Sequence, residues 1–89
     1  MSAIVSKKRF KKDFERLALN GRDFSRLKEA IGLLQAGELL PTHYRDHQLT
    51  GNLKEYRECH LGGDWLLLYQ RTDEILTLIR TGTHSELFD

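Results

Sequence analysis

Hydrophobic positions follow two different periods along the chain, and the change between them falls near its middle. In the first half, Phe10, Phe14 and Leu17 recur at the spacing of one helical face, with Lys, Arg, Asp and Glu between them. Ser6 is the expected N-cap of this helix, and Asn20-Gly21 is expected to end it near Leu19. A second stripe follows at Phe24, Leu27, Ile31 and Leu34, with Asp23 as its expected cap and Gly37 as its close. These two stripes predict a helical hairpin that turns its apolar side to a core. Residues 3–5 are expected to form a short strand ahead of it.

A polar connector follows, residues 39–51, "LLPTHYRDHQLTG", punctuated by Pro41 and Gly51. Beyond it the period becomes two. Residues 54–61, 65–71 and 74–81 predict three strands, joined through Gly62-Gly63 and through a tight turn near Thr72-Asp73. The middle strand, "WLLLYQ", is apolar on both faces, as a central strand should be. Helices first and a meander second predict an α+β domain, a helical hairpin packed on an antiparallel β-sheet, with the other face or rim of the sheet left open. Residues 1–89 are expected to be a single domain, since 89 residues support one small core with little to spare.

Composition narrows the class. With 39% apolar and 30% charged residues, the chain has the balance of a folded soluble domain and not of a disordered one. No apolar run approaches the ~20 residues of a membrane helix, so no membrane partner is expected. The opening segment "MSAIVSKKRFKKDF" has no apolar stretch after its charges, which predicts no secretory signal. The lone Cys59 fits a reducing compartment, the cytoplasm, and reads as a small buried hydrophobe.

A net charge of +1 conceals a strong asymmetry. Through Lys28 there are nine Lys/Arg against three Asp/Glu; from Glu29 onward there are five against ten. Five of the cations, Lys7, Lys8, Arg9, Lys11 and Lys12, fall within the six residues "KKRFKK". Two readings stand side by side. The run is either a solvated helix face or a docking patch for a polyanion, whose counterions it would release on binding.

The second half holds the candidate chemistry. His60 ends one predicted strand and Asp64 begins the next, across the Gly62-Gly63 turn. Arg80 ends the third strand, and His84 follows a Thr-Gly-Thr segment. In an antiparallel meander these four residues reach one rim, a rigid mount for a polar site. Cleaving RNA through its own 2′-hydroxyl needs a base for the 2′ proton, an acid for the leaving 5′ oxygen and a cation for the crowded phosphorane. Histidine serves as either acid or base near neutrality, arginine forks onto phosphate oxygens, and aspartate can fix an imidazole tautomer or act as a base. The set therefore suffices for a ribonuclease without metal or other cofactor.

Each residue also has a plainer reading. Asp64 could merely stabilise its turn, Arg80 could pair with Glu55 or Glu58, and Trp65 and Phe88 fit packing better than base stacking. His43 and His47 are four apart, but Pro41 and "DHQLTG" argue against the helix that a metal site at that spacing would need.

Four blocks, "DHQLTGN" (46–52), "YRECH" (56–60), "DWLLLY" (64–69) and "RTGTHSELF" (80–88), resemble the YafQ branch of the RelE superfamily of type II toxins. They span nearly half of the chain, from Asp46 to Phe88, in the expected order and spacing. The resemblance implies a ribosome-dependent mRNA endonuclease of RelE-like fold. It places the family's functional positions on His47, His60, Asp64, Arg80, His84 and Phe88, with Phe88 positioning a base and His47 assisting from the connector. It further implies that the basic helix docks on ribosomal RNA and that a cytoplasmic antitoxin binds the toxin in a hetero-oligomer. Gln48, Leu53, Glu55 and the Gly62-Gly63 pair depart from the family pattern. The rival readings are a non-catalytic RNA- or partner-binding module on the same fold and an RNase that needs no ribosome.

Overall fold

The computed structural model describes residues 2–88. A five-stranded sheet runs in the order β1-β5-β4-β3-β2. Its strands are β1 (Ala3–Ser6), β2 (His47–Gln48), β3 (Arg57–Gly62), β4 (Trp65–Arg71) and β5 (Ile75–Thr83). Three helices accompany them: α1 (Lys8–Leu19), α2 (Ser25–Gln35) and α3 (His84–Phe88). The meander β2-β3-β4-β5 is antiparallel throughout, while β1 joins the edge parallel to β5, from Ala3 opposite Ile75 to Ser6 opposite Leu78.

The helical stripes meet the sheet largely as their spacing predicts. Phe10, Leu17, Leu27, Ala30 and Leu34 are buried against Cys59, Leu61, Trp65, Leu67, Tyr69, Leu76 and Leu78, all on one sheet face. Phe14 is half-exposed and stacks instead on Phe24, with ring centroids 4.3 Å apart. Asp13 takes the place in the buried stripe, for a reason given below. Ser6 does not cap α1. It belongs to β1, whose parallel pairing continues through the Lys7 amide to the Leu78 carbonyl, and that competing ladder delays the helix to Lys8. Asp23 lies one residue outside the α2 cap and accepts instead from the amide and hydroxyl of Ser25. Both long helices end as expected, with amide bonds from Gly21 and Arg22, and from Gly37 and Glu38, turned back onto the last helical turn.

The connector holds one strand too short to be legible as a period-two pattern. His47–Gln48 forms the short edge strand β2, opposite Glu58 and Arg57. Asp46 holds it there by accepting from the buried Tyr69 hydroxyl and, at 3.1 Å, from Arg57. The Gly62-Gly63 turn requires its glycines, because both adopt positive φ (130° and 55°), a region that side chains oppose.

Candidate active site

Residues that pair across an antiparallel sheet share a face. His47 lies opposite Glu58, Glu58 opposite Leu68, and Leu68 opposite Arg80. The next row is His60, Leu66 and Gly82. Both rows lie on the sheet face turned away from the helix-packed core. The alternation of β3 therefore buries Cys59 and Leu61 while presenting Glu58 and His60 to the open face. Burial pushes the Cys59 thiol up to about 12, so it is an inert packing residue and no nucleophile.

Four of the six residues expected at the site form a chain of rings, three imidazoles followed by the Phe88 phenyl. His47 and His60 ring centroids are 6.3 Å apart, His60 and His84 6.0 Å, and His84 and Phe88 6.1 Å. Asp64 joins them from across the hairpin turn, with Oδ1 2.6 Å from Nδ1 of His84. The His84 amide also points to this oxygen, at 3.4 Å. The hydrogen bond that His84 donates to Asp64 raises the imidazole above its ordinary value, and the same bond holds the Asp64 carboxyl below the usual carboxylate value. With Nδ1 committed, Nε2 is the atom His84 offers to a substrate.

His47 is fixed differently. Its Nδ1 lies 2.7 Å from the Arg45 carbonyl, which can only accept, so the proton is on Nδ1. Nε2 then faces Oε1 of Glu58, at 3.3 Å, and the same oxygen is 3.7 Å from Nε2 of His60. Glu58, buried to 5% exposure between two imidazoles, was not among the residues expected from sequence. The signal was its position two residues before His60 on a period-two strand, which puts both on one face.

Arg80 lies on the expected face, but its guanidinium is already engaged. Nε and Nη2 donate to Asp13 at 3.0 and 2.9 Å, and Nη1 donates to the Glu86 carbonyl at 3.2 Å. Asp13 comes from α1, which covers β5 beyond the end of β1 and accepts the Thr81 amide as well. Burial works to raise the Asp13 carboxyl, yet bonds from Arg80, Thr81 and Arg16 outweigh it and the net direction is down. Two N–H bonds of Arg80 remain to be offered. Arg80 is a preset fork with its charge partly countered, not a free cation.

The segment "THSE" places His84. Thr83 Oγ1 accepts the Glu86 amide at 3.2 Å, and Glu86 Oε1 accepts the Thr83 amide at 2.8 Å. This reciprocal capping box makes His84 the first residue of α3, rigidly mounted at the end of β5. It was readable as Thr-x-x-Glu, although Thr83 reads first as part of a turn. Among the described residues, no group of three or more His, Cys, Asp or Glu side chains is arranged to hold a metal ion.

Four of the five cations of the basic run border two separate grooves. Lys7, Lys8 and Arg9 line one of about 530 Å³ with Glu55, Tyr56, Gln70 and Ile79, three cations against one carboxylate, and Gln70 shares the sheet face of Leu68. Lys11 borders a separate groove with Phe10, Phe14 and Glu15.

The family model for the bacterial toxin of type II toxin–antitoxin systems, YafQ, matches residues 2–89. The chain belongs to this family. It is 41% identical over 80 residues to the mRNA interferase toxin YafQ of Escherichia coli K12, covering 89% of this chain and 87% of that protein. A copper-bound mutant toxin from Helicobacter pylori superposes with a TM-score of 0.95 at 46% identity, over 99% of this chain and all of that one. YafQ in the E. coli DinJ-YafQ toxin–antitoxin complex superposes with a TM-score of 0.91 at 37% identity, over 99% of this chain and 98% of that one.

Proposed function

We propose that this YafQ-family toxin cuts mRNA on the ribosome by metal-independent acid–base transfer through the RNA 2′-hydroxyl, with His84 as the acid. Its class is given by the family and by the 41% identical mRNA interferase: it is an endoribonuclease toxin of a type II system. The observation that supports the finer reading is the Asp64–His84 pair, which keeps an imidazolium available where a leaving oxygen needs a proton. His60 takes the 2′ proton, with the Glu58 carboxylate behind it and His47 beyond. The 2′ oxygen then attacks phosphorus, the P–O5′ bond breaks, and His84 Nε2 delivers its proton to the departing 5′ oxygen. The free N–H groups of Arg80 face the phosphorane oxygens, and Phe88 stacks a base beside His84.

Lys7, Lys8 and Arg9 extend this face as a basic groove suited to RNA backbone, with Lys11 and Lys12 continuing the cationic helix. A cognate antitoxin is the expected partner, as DinJ is for the E. coli relative, and the cytoplasm is the expected location. No helix is long and apolar enough to cross a membrane among the described residues.

The test is cleavage of one mRNA, free and in programmed ribosomes, by toxin treated with a zinc and copper chelator. Cutting that requires ribosomes and leaves a cyclic or 3′-phosphate with a 5′-hydroxyl is expected. Equal cutting of free mRNA contradicts ribosome dependence, loss of activity on chelation contradicts the metal-free route, and a 5′-phosphate product contradicts attack by the 2′ oxygen.

A further inference from the structure

A depression of about 340 Å³ adjoins the imidazole chain and has no part in the chemistry above. Arg26, His43, Arg45, His60, Gly62 and Gly63 line it. His60 is thus common to its wall and to the candidate active site. Gly62 and Gly63 contribute no side chain, and a Cβ added at either would meet nothing within 4 Å, so that side stays open to a bound strand.

Its cations come from separate elements. Arg26, in the first turn of α2, holds its guanidinium 5.9 Å from the Tyr44 ring. Arg45 follows the turn that contains Tyr44. Among the described residues, Arg16, Arg57 and Arg80 are paired with carboxylates, whereas Arg26 and Arg45 have neither an ion pair nor a side-chain hydrogen bond. Two guanidiniums without a carboxylate partner at one depression leave it a surplus of positive charge that an anion would answer.

The backbone adds an independent sign. Arg45 is the one non-glycine residue at positive φ among those described, at 48°. This left-handed conformation is strained for an arginine. It is held by the Arg45 amide on the Thr42 carbonyl at 3.0 Å and by the Arg45 carbonyl on Nδ1 of His47 at 2.7 Å. One strained residue therefore fixes an imidazole of the candidate active site and carries a cation to the adjoining depression.

We infer that this depression binds the RNA phosphodiester next to the scissile one, through Arg26 and Arg45. The inference rests on the proposed function for the identity of the strand. A strand lying across His60 and His84 continues over Gly62-Gly63 into the depression, where a neighbouring phosphate meets both guanidiniums. An apolar ligand would leave both cations unanswered.

The experiment is a cycle between protein and substrate. Short mRNAs in programmed ribosomes carry either ordinary linkages or one neutral methylphosphonate beside the scissile phosphate, each flank in turn. The parent chain and an Arg26→Gln/Arg45→Asn double variant are compared. Asn tolerates the left-handed conformation, and both sites are exposed, so the variant should melt near the parent. Neutralising one flank should slow the parent by about tenfold or more, the size of one charge-assisted hydrogen bond. The double variant should show that loss on the charged mRNA and no further loss on the neutral one. Losses that simply multiply overturn the subsite and assign the arginines to ribosomal RNA or an acidic partner. The same cycle on equilibrium binding of free RNA with a 2′-O-methyl at the scissile sugar reads the coupling without cleavage. Coupled binding by a parent that never cuts keeps the subsite and refutes the proposed function; uncoupled binding by a parent that cuts does the reverse.

Discussion

Asp64 at the head of β4 and His84 at the head of α3 are 20 residues apart in sequence, yet Oδ1 of one lies 2.6 Å from Nδ1 of the other. The pair ties the start of β4 to the end of β5 at one rim of the sheet and sets both the tautomer and the charge of His84. Removing the carboxylate should therefore act on the pH dependence as well as on the rate.

The sign follows from the direction of the shift. His84 is raised above its ordinary 6.5, so the acid form persists as pH climbs through and beyond that value. The alkaline limb of single-turnover cleavage should therefore lie above that value. Asp64→Asn removes the charge that holds the proton, and the alkaline limb should move to lower pH. The stability linked to the pair has the matching sense: the His84 part is lost as pH rises through its raised value, and the Asp64 part as pH falls through its lowered one. A pH–rate profile for Asp64→Asn with an unmoved alkaline limb would mean that Asp64 does not govern His84.

The capping box gives a second route to the same imidazole. Glu86→Ala should cost about 1 kcal/mol of stability, typical of a lost cap. Because Glu86 also meets Arg16 at 3.2 Å, the end of β5 and the start of α3 should loosen together. Cleavage should drop further than the small change in melting implies, and Glu86→Gln, which keeps an acceptor for the Thr83 amide, should recover most of it. Equal cleavage by both variants would leave the box a structural detail.

Asp46 is the stability test. It accepts from the buried Tyr69 hydroxyl and from Arg57, and burial together with Asp46 raises the Tyr69 hydroxyl well above its ordinary value. Asp46→Ala leaves that hydroxyl without its acceptor at a cost of about 1–3 kcal/mol. The midpoint of urea unfolding should fall accordingly, and β2 should lose its anchor, carrying His47 away from Glu58. A midpoint within error of the parent would contradict this account of the clamp.

The sequence carried the core and the meander because both rest on period. Phe10 and Leu17, Leu27 and Leu34, and the whole of β4 fall where their spacing puts them. What escaped depends on partners distant in sequence. Asp13 looks like any surface carboxylate of an amphipathic helix until Arg80 and Thr81, 67 and 68 residues away, are seen to need an acceptor at the sheet edge. The parallel pairing of β1 leaves no local mark, and a two-residue strand such as β2 is too short for any period. His60, Asp64 and His84 were expected at one rim because antiparallel connectivity alone brings them there. Arg80 was expected beside them, either turned to phosphate or paired with Glu55 or Glu58, and only the fold reveals that its partner is Asp13.

The two grooves of α1 separate its lysines. Reversing Lys7 and Lys8 to Glu should weaken ribosome binding and flatten its salt dependence more than reversing Lys11 and Lys12, since only the first pair lines the groove on the sheet face of Glu58 and His60. Ribosome pelleting at graded salt measures this. Equal effects of the two reversals would return the run to a diffuse cationic helix.

The central claim is that His84 delivers the proton, and His84→Gln measures it most directly. The side chain is half-exposed at the first position of α3, where surface substitutions typically cost within about 0.5 kcal/mol, so the variant should melt near the parent and still bind ribosomes. Single-turnover cleavage of ribosome-bound mRNA should fall by about 10²–10⁴-fold, the usual worth of a positioned acid or base. Near-parental cleavage by a folded, ribosome-binding His84→Gln protein would contradict the account.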